Sequence, residues 1–213
     1  MSPVTITTSA SKTLTQRADR AILIFTMLYI AVSDSTDKQE FDSCYEELYD
    51  HLSELSTKRG SPGNGNEMPP AITHFDASPH HTFSEDRKDE NGEVTERLIT
   101  MTRDIEAEFG DLQELAPLVD HISDNQFVKF ECIKWGLTDG EREKLENKAR
   151  ELAMEQSVAR ARFLAAGLGK EKVKIIEVVD HAVDQKEFAV GDRSCKPLKI
   201  QVGVRVTVEY VTE

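Results

Sequence analysis

The most regular pattern in the chain lies near its end, where apolar and polar residues alternate from 198 to 210. Every second residue there is apolar or aromatic: Ile200, Val202, Val204, Val206, Val208 and Tyr210. A period of two places alternate side chains on opposite faces, so this segment is predicted to be a strand with one buried and one solvated face. A further strand is predicted over Val173–Val183, with residues 186–197 as the hairpin loop between them.

Two more strands are predicted at the start of the chain. Residues 4–16 alternate and are rich in threonine and serine, which is typical of a half-exposed strand. Residues 21–32 are almost all apolar, and many are β-branched or aromatic, which is typical of a strand buried on both faces. Only residues 17–19 form the connection, so we expect the two strands to pair as a hairpin.

The second of these strands has two apolar faces. One carries Ile22, Ile24, Leu28 and Ile30, and the other carries Leu23, Phe25, Met27 and Tyr29. A single layer of helices covers only one face of a sheet, so the second apolar face needs another helix or a second copy of the protein as its cover. We take the second set of four as the candidate self-association face, and expect a homo-oligomer.

Three helices are predicted from apolar stripes at three- and four-residue spacing. The first follows a capping box of Thr36 and Gln39, and its stripe is Phe41, Cys44, Tyr45, Leu48, Leu52 and Leu55. The second contains Pro117, so it either kinks there or has its regular part starting near Leu115. The third covers about residues 141–166, and its many alanines predict a close approach to a sheet. Its expected stripe is Leu145, Ala149, Leu152, Ala153, Gln156, Ala159, Phe163 and Ala166.

The middle of the chain mixes strands with two polar segments. Strands are predicted over residues 72–75, 94–109 and 127–135. Residues 59–70 are rich in glycine and proline, and residues 76–93 are acidic, with 89–92 (Asp-Glu-Asn-Gly) as a hairpin-turn candidate. We expect both segments to be flexible inserts that are dispensable for folding.

The order of these elements is ββ-α-ββ-α-β-α(long)-ββ. Because the strands come in adjacent pairs, antiparallel hairpins should dominate. The fold class is therefore predicted as α+β, with an antiparallel sheet and helices packed on it. We expect a single domain over residues 1–213.

Charge excludes one class of partner. The chain has 26 Lys and Arg and 39 Asp and Glu, so 26 − 39 gives a formal net charge of −13. Such a field repels phosphate, and no basic patch offsets it, so nucleic acid is not expected as a partner. The same charge alone would also fit an acidic protein that binds basic partners.

The first residues, the longest apolar stretch and the cysteines together predict the cellular compartment of the protein. The first residues lack the basic and apolar regions of a secretory signal, and the longest apolar stretch is shorter than the ~20 residues that cross a membrane. The cysteines Cys44, Cys132 and Cys195 are odd in number and far apart, which is typical of reduced thiols. We therefore expect a cytoplasmic protein that does not bind membranes.

No motif in the sequence states a reaction. His74, His80 and His81 lie near Asp76, Glu85 and Asp86 in the sequence, which leaves a divalent-metal site open. However, adjacent histidines rarely hold one ion, and no HExxH spacing is present. A solvated acidic loop is therefore favoured. The glycines of residues 60–65 lack a following GK[ST], and there is no GxSxG elbow. We assign no catalytic, cofactor-binding or metal-binding residues and expect no cofactor, and whether the protein is an enzyme stays open.

Four segments together resemble a known family. They are TITTSASKTLTQRADRAILIFTM (5–27), DLQELAPLVDHI (111–122), KARELAMEQSVARARFLAAGLG (148–169), and KVKIIEVVD (172–180) followed by LKIQVGVRVTVEYV (198–211). In this order, and over nearly the whole chain, they resemble the SIMPL family, the domain of unknown function 541. Since no signal peptide is seen, the chain is most similar to the eukaryotic, cytosolic type.

The resemblance implies a function without a site. The family's eukaryotic namesake binds a pelle-like kinase and feeds NF-κB signalling, and the family has no agreed catalytic residues. The first hypothesis is therefore a non-enzymatic protein-interaction or scaffold module with a protein partner. The alternative is an enzyme or small-ligand binder with its site between sheet and helices; convergent titratable groups in a cleft would favour it.

Overall fold

A computed structural model describes residues 4–32, 37–57, 70–170, 172–183, 188–190 and 193–212. In chain order its elements are β1 (Thr5–Arg17), β2 (Arg20–Val32), α1 (Asp37–Thr57), β3 (Ile72–Ala77), β4 (His81–Lys88), β5 (Val94–Phe109), α2 (Leu115–Ser123), β6 (Val128–Gly136), α3 (Asp139–Gly167), β7 (Val173–Val183), β8 (Phe188–Val190) and β9 (Lys199–Thr212). Antiparallel sheets carry packed helices, which confirms the predicted α+β class and order.

The chain folds into two compact units. Unit 1 comprises residues 1–18, 137–187 and 198–213, and unit 2 comprises residues 19–136 and 188–197. Hydrogen bonds mark the boundary, because the Ala18 N–H donates to Leu198 O within unit 1 and the Asp19 N–H donates to Gly136 O within unit 2. The single domain expected from the sequence stays a prediction.

Unit 1 is a three-stranded sheet with one helix on it. The strand order is β1-β9-β7, and both pairs are antiparallel, so β9 is central. Its apolar residues from Ile200 to Tyr210 are buried, as the alternation predicts. Helix α3 packs on the face that carries the buried residues of β9. The buried stripe of α3 is one small residue every four positions: Ala149, Ala153, Ser157, Ala161 and Ala165.

This stripe corrects the one expected from the sequence. Only Ala149 and Ala153 are common to both, and Phe163 is 80% exposed where a buried residue was expected. Large side chains such as Phe163 would hold the helix away from the sheet, so the small residues take the contact face. The expected close approach of helix to sheet is confirmed.

A buried polar network lies inside the contact between α3 and the sheet. The Tyr210 hydroxyl donates to Ser157 Oγ (3.1 Å), and Ser157 Oγ lies 2.5 Å from Thr8 Oγ1. Thr8 Oγ1 in turn donates to the Ser157 backbone oxygen (3.3 Å). All three side chains are buried, so each hydroxyl depends on the others for its hydrogen bonds.

Strands β1 and β2 do not form the predicted hairpin. β1 pairs with β9, while β2 lies at the centre of the sheet of unit 2, between β5 and β6. The two strands need different neighbours: β1 has one solvated face, whereas the apolar β2 is shielded best between two other strands. A short connection here joins two units instead of two paired strands.

The sheet of unit 2 has the order β3-β5-β2-β6-β8, and β4 also pairs with β5. The ring of Phe41 on α1 lies 5.6 Å from that of Tyr29 on β2, which places α1 on the inner face of this sheet. Helix α2 begins at Leu115, so Pro117 falls in its first turn, and the second of the two sequence alternatives is correct. Among the described helices, none is both long and apolar enough to cross a membrane.

The inner face of β2 is the one that was expected to self-associate. Leu23, Phe25, Met27 and Tyr29 are all buried in unit 2, so this face belongs to the core and is not available to a partner. The opposite, outer face carries Ile22, Ile24, Leu28 and Ile30, which are half-buried or exposed. Because both faces are apolar, the sequence pattern does not tell which of them the helices cover.

The polar segment 76–93 contains a strand instead of a flexible insert. Residues 81–88 form β4, which pairs with β5 through the predicted turn, where Asp89 Oδ1 accepts hydrogen bonds from the Asn91 and Glu93 N–H groups (2.9 Å each). Gly92 has φ 83°, a conformation that favours glycine. Every residue of β4 is exposed, so its backbone pairing holds it in place without apolar burial. The other expected insert, residues 59–69, and the predicted cap residue Thr36 lie outside the described residues.

The burial of β9 gives a first test. Val204→Asp should place an unpaired charge in the core of unit 1 and prevent soluble folding, at a cost of several kcal/mol. Gln201→Asp, on the exposed face of the same strand, should leave the melting temperature nearly unchanged. An unshifted melting temperature for Val204→Asp, measured by circular dichroism, would contradict the assignment of the buried face.

The Ser157 network gives a second test. Ser157→Ala should lower the free energy of unfolding by about 1–3 kcal/mol, because the buried Tyr210 hydroxyl loses its acceptor. Adding Tyr210→Phe should recover part of this loss, since the orphaned hydroxyl is then also removed. Urea midpoints measure both effects, with Ser11→Ala on the exposed face of β1 as the control. Equal midpoints for Ser157→Ala and Ser11→Ala would show that the network adds no stability.

Candidate functional site

Strand β1 lies at the edge of the sheet of unit 1, and its pairing determines which backbone groups stay open. The Thr212 N–H donates to Val4 O, so even-numbered residues of β1 bond to β9. In an antiparallel ladder alternate residues point their N–H and C=O groups to opposite sides. The backbone groups of Thr5, Thr7, Ser9 and Ser11 therefore point away from β9, toward the open edge.

A groove of about 580 Å³ lies between this edge and helix α3. Its lining residues are Thr7, Thr8, Ser9, Gln156, Ala159, Arg160, Phe163 and Leu164. The helical members recur at three- and four-residue spacing, so they form one face beside the small-residue stripe. The groove volume is in the range of ordinary ligand sites, about 300–1,000 Å³.

Apolar side chains of the groove are open to solvent. Phe163 is 80% exposed and Leu164 is 46% exposed, although both lie on a regular helix. The stripe below them fixes their position, because Ala161 and Ala165 take the contact with the sheet. An exposed aromatic ring next to an open strand edge is typical of an interaction site.

Arg160 connects the helix to the strand edge. Its Nη1 donates to Ser9 O (2.7 Å), which confirms that the Ser9 carbonyl points away from β9. A charged side chain over a strand edge also hinders unwanted pairing with other chains. The remaining guanidinium N–H groups can serve a carboxylate or carbonyl of a ligand.

Together these groups can hold an extended peptide. The Ser9 carbonyl already accepts a hydrogen bond from Arg160. The outward N–H groups of β1 and its other outward carbonyls offer main-chain hydrogen bonds, and Phe163, Leu164 and Ala159 offer an apolar surface for side chains. The stretch Thr7–Ser9 is about 10 Å long at roughly 3.3 Å per residue, and the helical stretch 156–164 is about 14 Å long at ~1.5 Å per residue. These lengths match an extended segment of about three to four residues.

A second cavity, of about 600 Å³, lies in unit 2 between α1 and β3. It is lined by Tyr45, Tyr49, Phe75, Asp76 and Ala77. The ring centroids of Tyr49 and Phe75 are 5.4 Å apart, and those of Tyr45 and Tyr49 are 5.9 Å apart. The rings contact each other and present an apolar wall. Asp76 pairs with Glu106, so its side chain points to the outer face of the sheet and not toward the rings.

Arg103 covers one face of this aromatic wall. Its guanidinium carbon lies 3.7 Å from the centroid of the Tyr45 ring, a cation–π contact. That face of Tyr45 is therefore occupied within the protein itself. The described lining residues of this cavity do not bring together the converging titratable groups that acid–base catalysis needs.

The histidines singled out in the sequence do not form a metal centre. His74, His80 and His81 are on or between β3 and β4, and His80 Nε2 lies 2.8 Å from Thr82 Oγ1. Within the described part of the chain, no group of three or more His, Cys, Asp or Glu side chains is placed to hold a metal ion. Partial burial, with the charge of Arg103 adding to it, lowers the pKa of His80, so this imidazole stays neutral at lower pH than a free histidine.

Groups with shifted pKa values are scattered over the surface. A hydrogen bond from Arg97 lowers the pKa of Asp86, and one from Lys144 lowers the pKa of Glu141. Burial raises the pKa of the Cys195 thiol, which disfavours the reactive thiolate. All three cysteines are free and half-buried, and their positions do not form a shared site.

Sequence reasoning missed the groove for one reason. Phe163 and Gln156 were placed in a buried stripe, because large apolar residues were counted as core. The repeat Ala149, Ala153, Ser157, Ala161, Ala165 was the signal that could have found it, since an unbroken four-residue spacing of small residues marks the face in closest contact.

Comparison with protein families identifies the family of this chain. A family model described as "Protein of unknown function (DUF541)", named SIMPL, matches residues 6–210. Among curated proteins, none matches the chain. The matched region covers nearly the whole sequence, including β1, α3 and β9, which form the groove and the sheet beneath it. The chain therefore belongs to the SIMPL family (DUF541).

Proposed function

We propose that this protein is a protein-interaction module that binds an extended segment of a partner protein as an added strand along β1. The observation that carries the proposal is the exposed Phe163 ring beside the open edge of β1. In recognition of this kind, main-chain hydrogen bonds supply affinity and side-chain pockets supply specificity.

The chemistry of the groove selects the partner segment. Ala159, Phe163 and Leu164 favour apolar side chains at alternate positions, since alternate residues of an added strand point to the same face. Arg160 favours a carboxylate near the Ser9 carbonyl. The segment is therefore extended, alternately apolar, and carries one acidic residue.

The signalling role implied by the family resemblance belongs to the same proposal. A module that captures an extended segment is suited to bring a kinase or another signalling protein into a complex. Three free thiols support the expected cytoplasmic location of such a complex.

A small-ligand site is the second candidate function. The aromatic wall of Tyr45, Tyr49 and Phe75 favours a flat ligand. This cavity lies between sheet and helices, where the sequence placed the alternative site. We rank it second because its best-placed ring face is already occupied by Arg103.

Selection from a display library of random 12-residue peptides tests the first proposal. We expect enriched peptides to have alternating apolar residues, and their affinity to fall at least about tenfold for Phe163→Glu, measured by fluorescence anisotropy. Leu168→Glu is the matched control, because Leu168 is also exposed at the end of α3 but does not line the groove. Its affinity should equal that of the wild type.

Backbone methylation of the selected peptide separates strand addition from simple apolar contact. N-methylation at the residues whose N–H groups face β1 should abolish binding, whereas methylation at the alternate residues should not. Equal effects at both sets, or equal affinities for Phe163→Glu and wild type, would overturn the proposal.

A further inference from the structure

The outer face of the sheet of unit 2 carries three parallel rows of different chemistry. β2 supplies the aliphatic row Ile22, Ile24, Leu28, Ile30 and Val32. On one side of it, β5 supplies the acidic residues Asp104, Glu106 and Glu108, and on the other side β6 supplies Lys129 and Lys134. From this arrangement we infer that a second copy of this chain packs on the outer face, in a closed two-fold pair.

The strand register places acidic and basic residues at the same position along the strands, on either side of β2. Ile22 pairs with Glu108 on one side and with Lys134 on the other. Directly paired residues of neighbouring strands point to the same face, so these three side chains form one line across the sheet. Glu108 and Lys134 therefore flank the aliphatic row at the same level.

A second line of the same kind crosses the sheet at Thr26. This residue pairs with Asp104 and with Lys129, and Thr26 Oγ1 donates to Asp104 Oδ1 (2.7 Å), which confirms their shared face. Acid thus lies on the β5 side of both lines and base on the β6 side. The face is polarised across β2.

The aliphatic row is open to solvent. Ile30 is 56% exposed and Val32 is 47% exposed, and Ile22, Ile24 and Leu28 are half-buried. α1 lies on the opposite, inner face, where its Phe41 contacts Tyr29. Thr26 interrupts the row between Ile24 and Leu28. Covering partly exposed aliphatic side chains of this kind is the usual driving force for association of two copies.

Charge decides how two copies face each other. If the two-fold axis runs parallel to β2, the β5 row of one copy lies over the β6 row of the other, so Glu108 opposes Lys134 and Asp104 opposes Lys129. If the axis runs across the strands, the acidic rows oppose each other, and like charges repel. The parallel axis is therefore the one that the surface supports, and it fits the aligned packing of two sheets about 10 Å apart.

Two ion pairs already lie on this face, one half-buried and one more exposed. Arg20 lies 3.7 Å from Glu108, and Lys129 lies 2.7 Å from Glu131 at the bulge of β6. Pairs as exposed as that of Lys129 contribute little stability, so Lys129 can exchange its partner on association. The charges thus select the orientation, and the aliphatic row supplies the driving force.

The size of the face is large enough for a specific contact. β2 has 13 residues, so it is about 43 Å long at roughly 3.3 Å per residue, and three strands are about 14 Å wide. The product is about 600 Å² per copy, or about 1,200 Å² in total, at the lower limit of specific interfaces. We expect a weak, reversible dimer, so the test covers a wide range of protein concentration.

Charge reversal tests both the surface and its orientation. Sedimentation velocity over roughly 1–500 µM should show a monomer–dimer equilibrium, and Lys134→Glu or Glu108→Lys alone should weaken it about tenfold or more. Mixing the two variants should restore the dimer, because in the mixed pair each Glu again opposes a Lys. The double variant should also dimerise by itself.

Three controls keep the test decisive. Lys148→Glu and Glu151→Lys reverse an exposed pair on α3 in unit 1 and should leave the equilibrium unchanged. Ile30→Glu should abolish the dimer, and circular dichroism checks that each variant is folded. A monomer at all concentrations, or a dimer that Lys134→Glu and Ile30→Glu leave intact, would overturn the inference. The peptide-binding proposal concerns unit 1 and does not depend on this result.

Discussion

The candidate site depends on how α3 contacts the sheet of unit 1. Every fourth residue of the contact face of the helix is small. Ala153, Ser157 and Ala161 allow the helix to lie close to the strands, and the same register turns Phe163 and Leu164 toward the edge of β1. A larger side chain in the stripe would lift the helix and close or displace the groove. The Ser157 hydroxyl fixes the position of the helix on the sheet, because it forms hydrogen bonds with both Tyr210 on β9 and Thr8 on β1.

Unit 2 depends on a different constraint, the two apolar faces of β2. Its inner face is buried under helices, and its outer face stays partly open between an acidic and a basic row. A central strand of this kind stabilises its own unit and at the same time leaves a surface for association. The two proposed binding surfaces thus lie on different units, an edge strand in one and a sheet face in the other.

The sequence was sufficient for the fold class and for the strands whose pattern is strict. The alternation of β9 predicted its buried and its solvated face, and residues 89–92 predicted the turn between β4 and β5. Which strands pair was harder to predict from the sequence. A short connection such as that between β1 and β2 can join two paired strands or lead from one unit to the other. β4 was missed because all its side chains are exposed, so that it has no apolar period to detect.

The sequence pattern could not locate the candidate sites, for a physical reason. Phe163 on α3 and Phe25 on β2 are both large and apolar, and only the packed structure shows that one is exposed and the other buried. Both faces of β2 are apolar, and more than one face of α3 carries apolar residues. The sequence pattern therefore does not tell which face is buried. No residue of the groove carries a catalytic motif that would have drawn attention to it.

Amide hydrogen exchange of β1, resolved by residue, tests the central claim most directly. In the free protein, the N–H groups of Thr7 and Ser9 should exchange quickly, and those of Thr8 and Ala10, which bond to β9, should exchange slowly. With a bound peptide, Thr7 and Ser9 should become protected while Thr8 and Ala10 hardly change. Protection that leaves Thr7 and Ser9 unchanged, or that appears only in unit 2, would contradict strand addition at β1.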